Sequence, residues 1–287
     1  MAVFTAASTS PRLRRLRRPL VMGVLNVTPD SFSDGGLYQD AGAAVARAEQ
    51  MVSEGADVID IGGESTQPGA AAVPLAEELR RTVPVVRRLA KSLRVPISID
   101  TSKADVAERA LDAGAAIVND VTALRGDPRM ASVVARYRAS IILMHMAGTP
   151  RTMQRHPRYR DVVREVATFL RRQAKQAQNA GISRSHILID PGLGFGKTVT
   201  HNLLLMRHLS RFVSLGLPVV IGPSRKSFIG KTLGADIGDR LVGTLACVAS
   251  GCWWGVAMVR VHDVKASVQM LQMLQAIGGS YAARREH

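Results

Sequence analysis

Cysteine is nearly absent from this 287-residue sequence, Cys247 and Cys252 being the only two. They stand five apart in what reads as one helix, facing different ways, which excludes a disulfide framework and a metal-ligand spacing. Core thiols of this kind suit a reducing compartment, and a cytoplasmic location is the expectation. Aromatic residues are scarce too, at 4%, too few for a platform on which nucleic-acid bases stack. No run reaches the roughly 18 unbroken apolar residues of a membrane span; the most apolar stretch, GTLACVASGCWWGVAMV, is cut by glycines and polar residues. No membrane partner is expected. Acidic residues are outnumbered 23 to 38 by Lys and Arg, for a net charge of +15. That surplus suits nucleic acid or an anionic small molecule. With no helix-turn-helix, zinc-finger or RNA-binding signature, no nucleic-acid partner is expected and the anionic substrate ranks first.

Other chemistries lack their motifs. The seven histidines form neither H-E-x-x-H nor a Cys/His metal pattern, and no G-x-S-x-G elbow supports a serine hydrolase. GLGFGKT, Gly192 to Thr198, resembles a nucleotide-binding loop, but the spacing from Gly192 to Gly196 is one residue short of a Walker loop, and the glycines do not follow the dinucleotide fingerprint. It reads either as a loop that lets a flat ligand approach the backbone or as a simple turn. His201 and His208 are expected to face solvent. The opening segment MAVFTAASTSPRLRRLRRPL holds five arginines and no acid, but no hydrophobic region follows its charges, so it is not a secretory signal. It is expected to be a basic extension over 1–20, with a transit peptide and a misplaced start as alternatives, ahead of one domain over 21–280.

What the sequence does contain is repetition. Short β-branched runs recur along the chain: LVMGVLN ending at Asn26, DVIDIGG at Gly63, VPISIDT at Thr101, AIVNDVT at Thr122, SIILMHM at Met146, HILIDPG at Gly192, LPVVIGPS at Ser224 and AMVRVHD at Asp263. Continuous apolar runs of this length are strands buried on both faces. Between them lie amphipathic helical segments, among them LAEELRRTVPVVRRLAKSL and RDVVREVATFLRRQAKQAQNAGI, several closed by Gly. Eight strand-then-helix units with no composition break predict a single (β/α)8 barrel rather than a doubly wound open sheet.

In such a barrel the C-terminal strand ends converge on one mouth. Those ends carry Asn26, Glu64 with Ser65 and Thr66, Asp100 with Thr101, Asn119 with Asp120, His145, Asp190, Ser224 with Arg225 and Lys226, and Arg260 with His262. Any one of them can be a turn or cap residue; eight polar ends together describe a pocket. Asp100, Asn119 and Asp190 are costly to bury without hydrogen-bond donors and suit a ligand rich in N–H groups, such as an amino-substituted heterocycle. Arg225, Lys226, Arg260 and His262 suit an anionic leaving group. Asn26 and nearby hydroxyls suit a metal-bound oxyanion, since Mg2+ takes oxygen ligands and often few from the protein. The basic stretch GTPRTMQRHPRYRD after the fifth strand reads as a solvated loop or as a substrate lid.

The ordered motifs MGVLNVTPDSFSDGG, GGESTQPG, SIDTSKADV, IVNDV, LMHMAGTPRTMQ, LIDPGLGFGKT, GPSRKSFIG and VRVHDV resemble those of the dihydropteroate synthases of folate biosynthesis. The resemblance runs from about Val21 to about Gln275. It implies the barrel fold and a reaction joining 4-aminobenzoate to 6-hydroxymethyl-7,8-dihydropterin diphosphate, with Mg2+ as cofactor and these two small molecules as substrates. Carried over, Asp100, Asn119, Met144, Asp190, Gly194 and Lys226 correspond to the pterin site. Asn26, Thr66, Arg260 and His262 correspond to the diphosphate site, with Asn26 the metal ligand. Phe32, Thr66, Pro68, Phe195, Ser224 and Ser227 surround the aminobenzoate, and Asp100, Asp190, Lys226 and Arg260 carry the catalytic roles. A homodimer is implied, with the apolar TLACVASGCWW helix either its patch or a buried element. The nearest rivals are a corrinoid-dependent methyltransferase barrel and an inactive pterin- or nucleic-acid-binding barrel. The family usually has Arg where this chain has Gln67. That departure reads either as drift in a loop or as a change in how the pocket weighs aminobenzoate against sulfonamide drugs, which leaves a sulfonamide-insensitive variant open.

Overall fold

The computed structural model describes residues 18–27, 36–66 and 69–278. Eight parallel strands alternate with helices in the expected order. The strands are β1 (Leu20–Asn26), β2 (Val58–Gly62), β3 (Ile97–Asp100), β4 (Ile117–Asp120), β5 (Ser140–Met144), β6 (Ile187–Asp190), β7 (Val220–Ile221) and β8 (Met258–Val261). Around them lie α1 (Gly36–Ser53), α2 (Leu75–Ser92), α3 (Ala104–Asp112), α4 (Met130–Tyr137), α5 (Val162–Asn179), α6 (Val199–Arg207), α7 (Leu209–Val213), α8 (Ser227–Leu233), α9 (Leu241–Trp254) and α10 (Val264–Ile277). Hydrogen bonding runs continuously from β6 through β1 and β8 to β7. The remaining seam is closed by a parallel bridge between Ile189 and Val219, with Ile189 N donating to Pro218 O at 3.0 Å. The barrel is therefore complete, with its weakest pairing between β6 and β7.

Residues two apart on a strand share a face, and this parity sorts the sequence. Val21, Leu25, Ile59, Ile61, Ile97, Ile99, Val118, Ile141, Leu143, Ile187, Ile189, Val259 and Val261 join one large cluster with the helices' apolar faces. The opposite parity fills the barrel. At its lower end Met22, Val58, Ile117, Ile142, Leu188, Val220 and Met258 form a separate cluster, each at most 1% exposed. Burying a side chain of this size contributes about 1.5–3 kcal/mol, so this plug is a substantial part of what holds the barrel shut. Above it the same faces turn polar.

The N-terminal boundary falls earlier than expected. β1 begins at Leu20, and Arg18, assigned to the extension, makes a two-pronged ion pair with Asp57 at 2.6 and 2.9 Å, whose carboxylate also accepts from Val21 N. The rest of the expected extension, residues 1–17, lies outside the described residues. No helix among the described residues is long and apolar enough to cross a membrane.

Candidate active site

Continuing each inward row toward the C-terminal strand ends gives the floor of the mouth. Register pairs Asn26 with Gly62, Gly62 with Asp100, Asp100 with Asn119, and Met144 with Asp190. A Cβ at Gly62 would lie 3.8 Å from both Asn26 Oδ1 and Asp100 Oδ2, so the glycine leaves a gap across which these two oxygens face. Asp100, Asn119 and Asp190 are buried, and Asp100 Oδ1 has no hydrogen-bond partner among the described residues. An unsatisfied buried carboxylate oxygen is costly and marks a place for a ligand donor.

Electrostatics reinforce the geometry. Burial pushes Asp100 up to about 7, with Arg260 opposing and Asp60 and Glu78 adding. Asp190 is likewise raised by burial to about 6, against the Gly192 N–H and Lys226; its Oδ1 accepts from Gly192 N at 2.7 Å. Lys226, the residue before α8, is lowered by burial to about 8, with Arg260 adding. Its ammonium lies 4.0 Å from the Phe195 ring centre, a cation–π contact. Carboxylates raised and ammonium lowered in one pocket describe groups short of partners, which a ligand with N–H donors and an anionic end would supply.

Arg260 crosses this floor. Its Nε donates to Asp60 Oδ2 at 2.6 Å and its Nη2 to Asp100 Oδ2 at 2.8 Å. Although burial works against the charge, the two carboxylates raise its pKa. His262, on the same inward row, is lowered to about 4, by burial first and then by Arg260 and Arg225. It is therefore neutral at physiological pH, contrary to its place among the rim cations. Its ring Nδ1 and its backbone N both lie on Ser224 Oγ, at 2.9 and 3.1 Å.

Other strand-end residues serve the scaffold. Thr101, Asp120 and His145 have outward parity. Thr101 Oγ1 donates to the buried Glu78 of α2 at 2.7 Å. Asp120 accepts from Thr122 N, Thr122 Oγ1 and Leu124 N, capping its own loop. Glu64 pairs with Lys103, which also binds Glu78. Arg225 is exposed, and its charge is felt at His262. It is held by Asp263 through two hydrogen bonds, at 3.0 and 2.5 Å, which offsets part of its charge in the expected cationic rim.

GLGFGKT is neither a nucleotide loop nor a simple turn. Lys197 is 3% exposed and its ammonium contacts Gly192 O at 2.9 Å, Phe195 O at 3.0 Å, His145 Nδ1 at 3.0 Å and His145 O at 3.3 Å. Burial lowers His145 to about 3, with Lys197 adding, so its ring is neutral and available as the acceptor. Gly192 has φ of 70°, and a Cβ there would stand 1.9 Å from His145 O; only glycine fits. The basic stretch after β5 folds over this loop. Gln154 donates to Gly194 O at 2.6 Å, Tyr159 to Gly196 O at 2.9 Å, and Met153 packs in a cluster with Met144 and Phe195. Gly69 N reaches across from the β2–α2 loop to Pro150 O at 3.1 Å. This favours the lid reading over a solvated loop. His201, expected in solvent, instead completes a capping box with Thr198 and meets the Tyr159 ring edge-on at 5.0 Å.

Of the predicted site, then, Asn26, Asp100, Asn119, Met144, Asp190, Gly194, Phe195, Ser224, Lys226, Arg260 and His262 share the mouth. Thr66 is half-buried at the end of the described β2–α2 segment, Ser227 is exposed at the start of α8, and Phe32, Gln67 and Pro68 lie outside the described residues. Asp60 and Lys197 were missed. Parity was the available signal for Asp60, a buried acid on the inward row between Val58 and Gly62.

Residues 22–262 match the family described as pterin binding enzyme. A dihydropteroate synthase of Synechocystis sp. is 46% identical over 262 residues, 91% of each chain. The Xanthomonas albilineans dihydropteroate synthase solved with 4-aminobenzoic acid superposes with a TM-score of 0.86 at 47% identity, covering 94% of this chain and 98% of its own. The structure of that enzyme with 7,8-dihydropteroate gives 0.82 at 44%, covering 91% and 94%.

Lys197 generates a prediction of its own. Lys197→Met leaves buried carbonyls without donors, and is expected to cost about 1–3 kcal/mol in urea unfolding and to speed amide exchange across residues 192–197. Exchange as slow as in the parent protein would show that Lys197 does not hold this loop.

Proposed function

The chain belongs to the dihydropteroate synthase family of pterin-binding enzymes, and from that premise we propose how its barrel mouth carries the family's reaction. It joins 4-aminobenzoate to 6-hydroxymethyl-7,8-dihydropterin diphosphate, releasing diphosphate and forming 7,8-dihydropteroate. The observation that carries the assignment of roles is the unpartnered, buried Asp100 Oδ1 on a floor shared with Asn119 and Asp190.

Asp100, Asn119 and Asp190 receive the N–H groups of the pterin, and Lys226, Met144 and Gly194 line its slot. Arg260 supplies a fixed positive charge to the diphosphate end as the bond to the pterin methylene lengthens. His262 acts there as a neutral donor: Ser224 Oγ accepts the backbone N–H and can give its own proton to Nδ1, leaving Nε2–H for the departing anion. The electron-rich reduced pterin, held by the two aspartates, supports the electron-poor methylene, and the aniline nitrogen attacks it. No protein nucleophile is needed, because an electrophile that ionises readily needs positioning more than covalent help. Phe195, Ser224, Thr66 and Ser227 are assigned to the aminobenzoate side, together with Phe32 and Pro68.

Mg2+ fits this donor set. Among the described residues no group of three carboxylate, His or Cys side chains could cage a metal, but the Asn26 amide oxygen faces Asp100 across Gly62. One protein oxygen beside a diphosphate is how Mg2+ is commonly held, its remaining positions filled by phosphate and water. When bound, it would neutralise diphosphate charge as the leaving group departs.

A homodimer is supported by the outer wall. Val242 and Trp253, eleven residues apart and so on one face of α9, are 75% and 72% exposed, and Met273 and Ile277 of α10 are 61% and 71% exposed. Apolar exposure of this extent on adjacent helices suits an isologous interface. Cys247 and Cys252 are free thiols, which favours a reducing, cytoplasmic location.

Three outcomes test this reading. Asp190→Asn is expected to lower dihydropteroate formation by about 100-fold or more with an unchanged circular dichroism spectrum; kinetics like the parent's would remove the pterin floor. Because Asp100 and Asp190 are raised, they hold protons until pH approaches about 7 and about 6, and a protonated carboxyl accepts fewer N–H bonds. Hence kcat/KM for the pterin substrate should rise between pH 5 and 8, and a flat profile would contradict the pairing. Trp253→Glu should convert a dimer to a monomer in light scattering after gel filtration, while a monomeric parent protein would sink the interface.

A further inference from the structure

We propose that Asp60 is a positioning residue for this reaction: from beneath the substrate-facing groups it fixes the Arg260 guanidinium so that one nitrogen, Nη1, is left for the diphosphate. The inference rests on the functional reading above and assigns a role to a residue to which that reading gives no substrate contact.

The geometry is specific. Arg260 offers Nε, Nη1 and Nη2. Nε is held by Asp60 and Nη2 by Asp100, and Nη1 makes no hydrogen bond among the described residues. Two fixed nitrogens define the plane of the fork and therefore the direction of the third. Asp60 is fully buried, whereas the Arg260 side chain is 19% exposed, so the guanidinium is gripped from its buried edge while part of the side chain stays open to the mouth. Asp60 Oδ2 also accepts from Asn119 Nδ2 at 3.1 Å. One carboxylate oxygen thus aligns a residue of the diphosphate side and a residue of the pterin floor, borne on strands 200 and 59 positions away in sequence. Its other oxygen, and Ser98 Oγ at the register-paired position of β3, have no partner among the described residues. Such a group is expensive to keep buried, and packing alone would be served better by an apolar residue, as at Val58 below it.

Asp60 also shapes the charge that Asp100 experiences. The charged groups facing Asp100 are Arg260 of β8, Asp60 of β2, Glu78 of α2, Asp120 of β4 and Lys226 before α8. With Asp60 present, Arg260 is shared between two carboxylates; without it, the whole guanidinium charge falls to Asp100, whose hold on a proton then weakens.

Asp60→Asn is the test, in the full chain. If dihydropteroate is formed by the parent protein, the functional reading stands and the variant is judged alone. Expected are a loss in kcat/KM for the pterin diphosphate of roughly 100-fold, a KM for aminobenzoate changed by less than about twofold, and an acid limb of the pH profile moved to lower pH. Unchanged kcat/KM with an unmoved limb overturns the proposal. If the parent protein forms no product, the functional reading fails and Asp60 is judged by calorimetry with inorganic diphosphate: roughly tenfold weaker binding by the variant supports it, and equal binding, or none by either protein, overturns it. Should Asp60→Asn not fold, having left a buried cation half-compensated, Arg260→Gln is compared with the double variant Asp60→Asn/Arg260→Gln. A residue acting through Arg260 adds less than about twofold on that background, while a further large loss shows an independent role and overturns the proposal.

Discussion

Side-chain parity on parallel strands is the constraint from which the rest of this molecule follows. Closing eight strands into a barrel turns a rule about alternate residues into stacked rings. Outward rows are apolar along the length that helices cover and turn polar only at the strand ends, as at Thr101, Asp120 and His145. Inward rows meet in the barrel interior, where the lower ring is largely an apolar plug and the charged groups Asp60, Asp100, Asp190 and Arg260 gather above it. The same parity separates neighbours in sequence. Asp100 faces the mouth while Thr101 ties β3 to α2; Asn119 faces the mouth while Asp120 caps its loop. Chemistry and scaffold are interleaved one residue at a time.

The polar ring above the plug is stable only as a set. An isolated charge in this setting would cost several kcal/mol, yet Asp60, Asp100, Asp190, Arg260 and Lys226 lie within one small volume. The ion pairs of Arg260 offset part of that cost, and burial still raises Asp100 and Asp190 and lowers Lys226. Those residual shifts are useful. A pocket whose acids lack donors and whose ammonium lacks an anion gains more from a ligand carrying both than a self-satisfied pocket could.

Much of this was legible in the sequence because barrel strands are short, β-branched and punctuated, and because polar residues at strand ends stand out against them. The architecture and most of the mouth followed from those two signals. What escaped did so for physical reasons. Asp60 sits inside a strand rather than at its end, so a search for terminal polar groups passes over it. Lys197 stands in a glycine-rich run whose spacing argues against phosphate binding, and nothing local shows that its target is three backbone carbonyls and a neutral imidazole. Arg225 is adjacent to Lys226 in sequence, but its partner Asp263 is 38 residues away, and ion pairing at that distance leaves no trace in a local pattern. The charge state of His262 is a property of its burial, which composition does not report.

The floor and the upper pocket are built by different means, and that difference decides where the chain can vary. Floor groups are carried by strands whose register fixes them to their neighbours on both sides, so replacing Asp60 or Asp100 disturbs a network that the barrel interior itself contains. The upper groups are carried by loops, and beside the packing of Leu193, Met153 and Phe195 these are held by backbone clamps: Lys197 on Gly192 and Phe195, Gln154 on Gly194, Arg81 on Gly63 O at 2.9 Å. A clamp of that kind fixes the course of a loop without specifying the side chains at its tip. Substitutions on the floor therefore act on the barrel interior itself, whereas substitutions at the loop tips act on what the mouth binds.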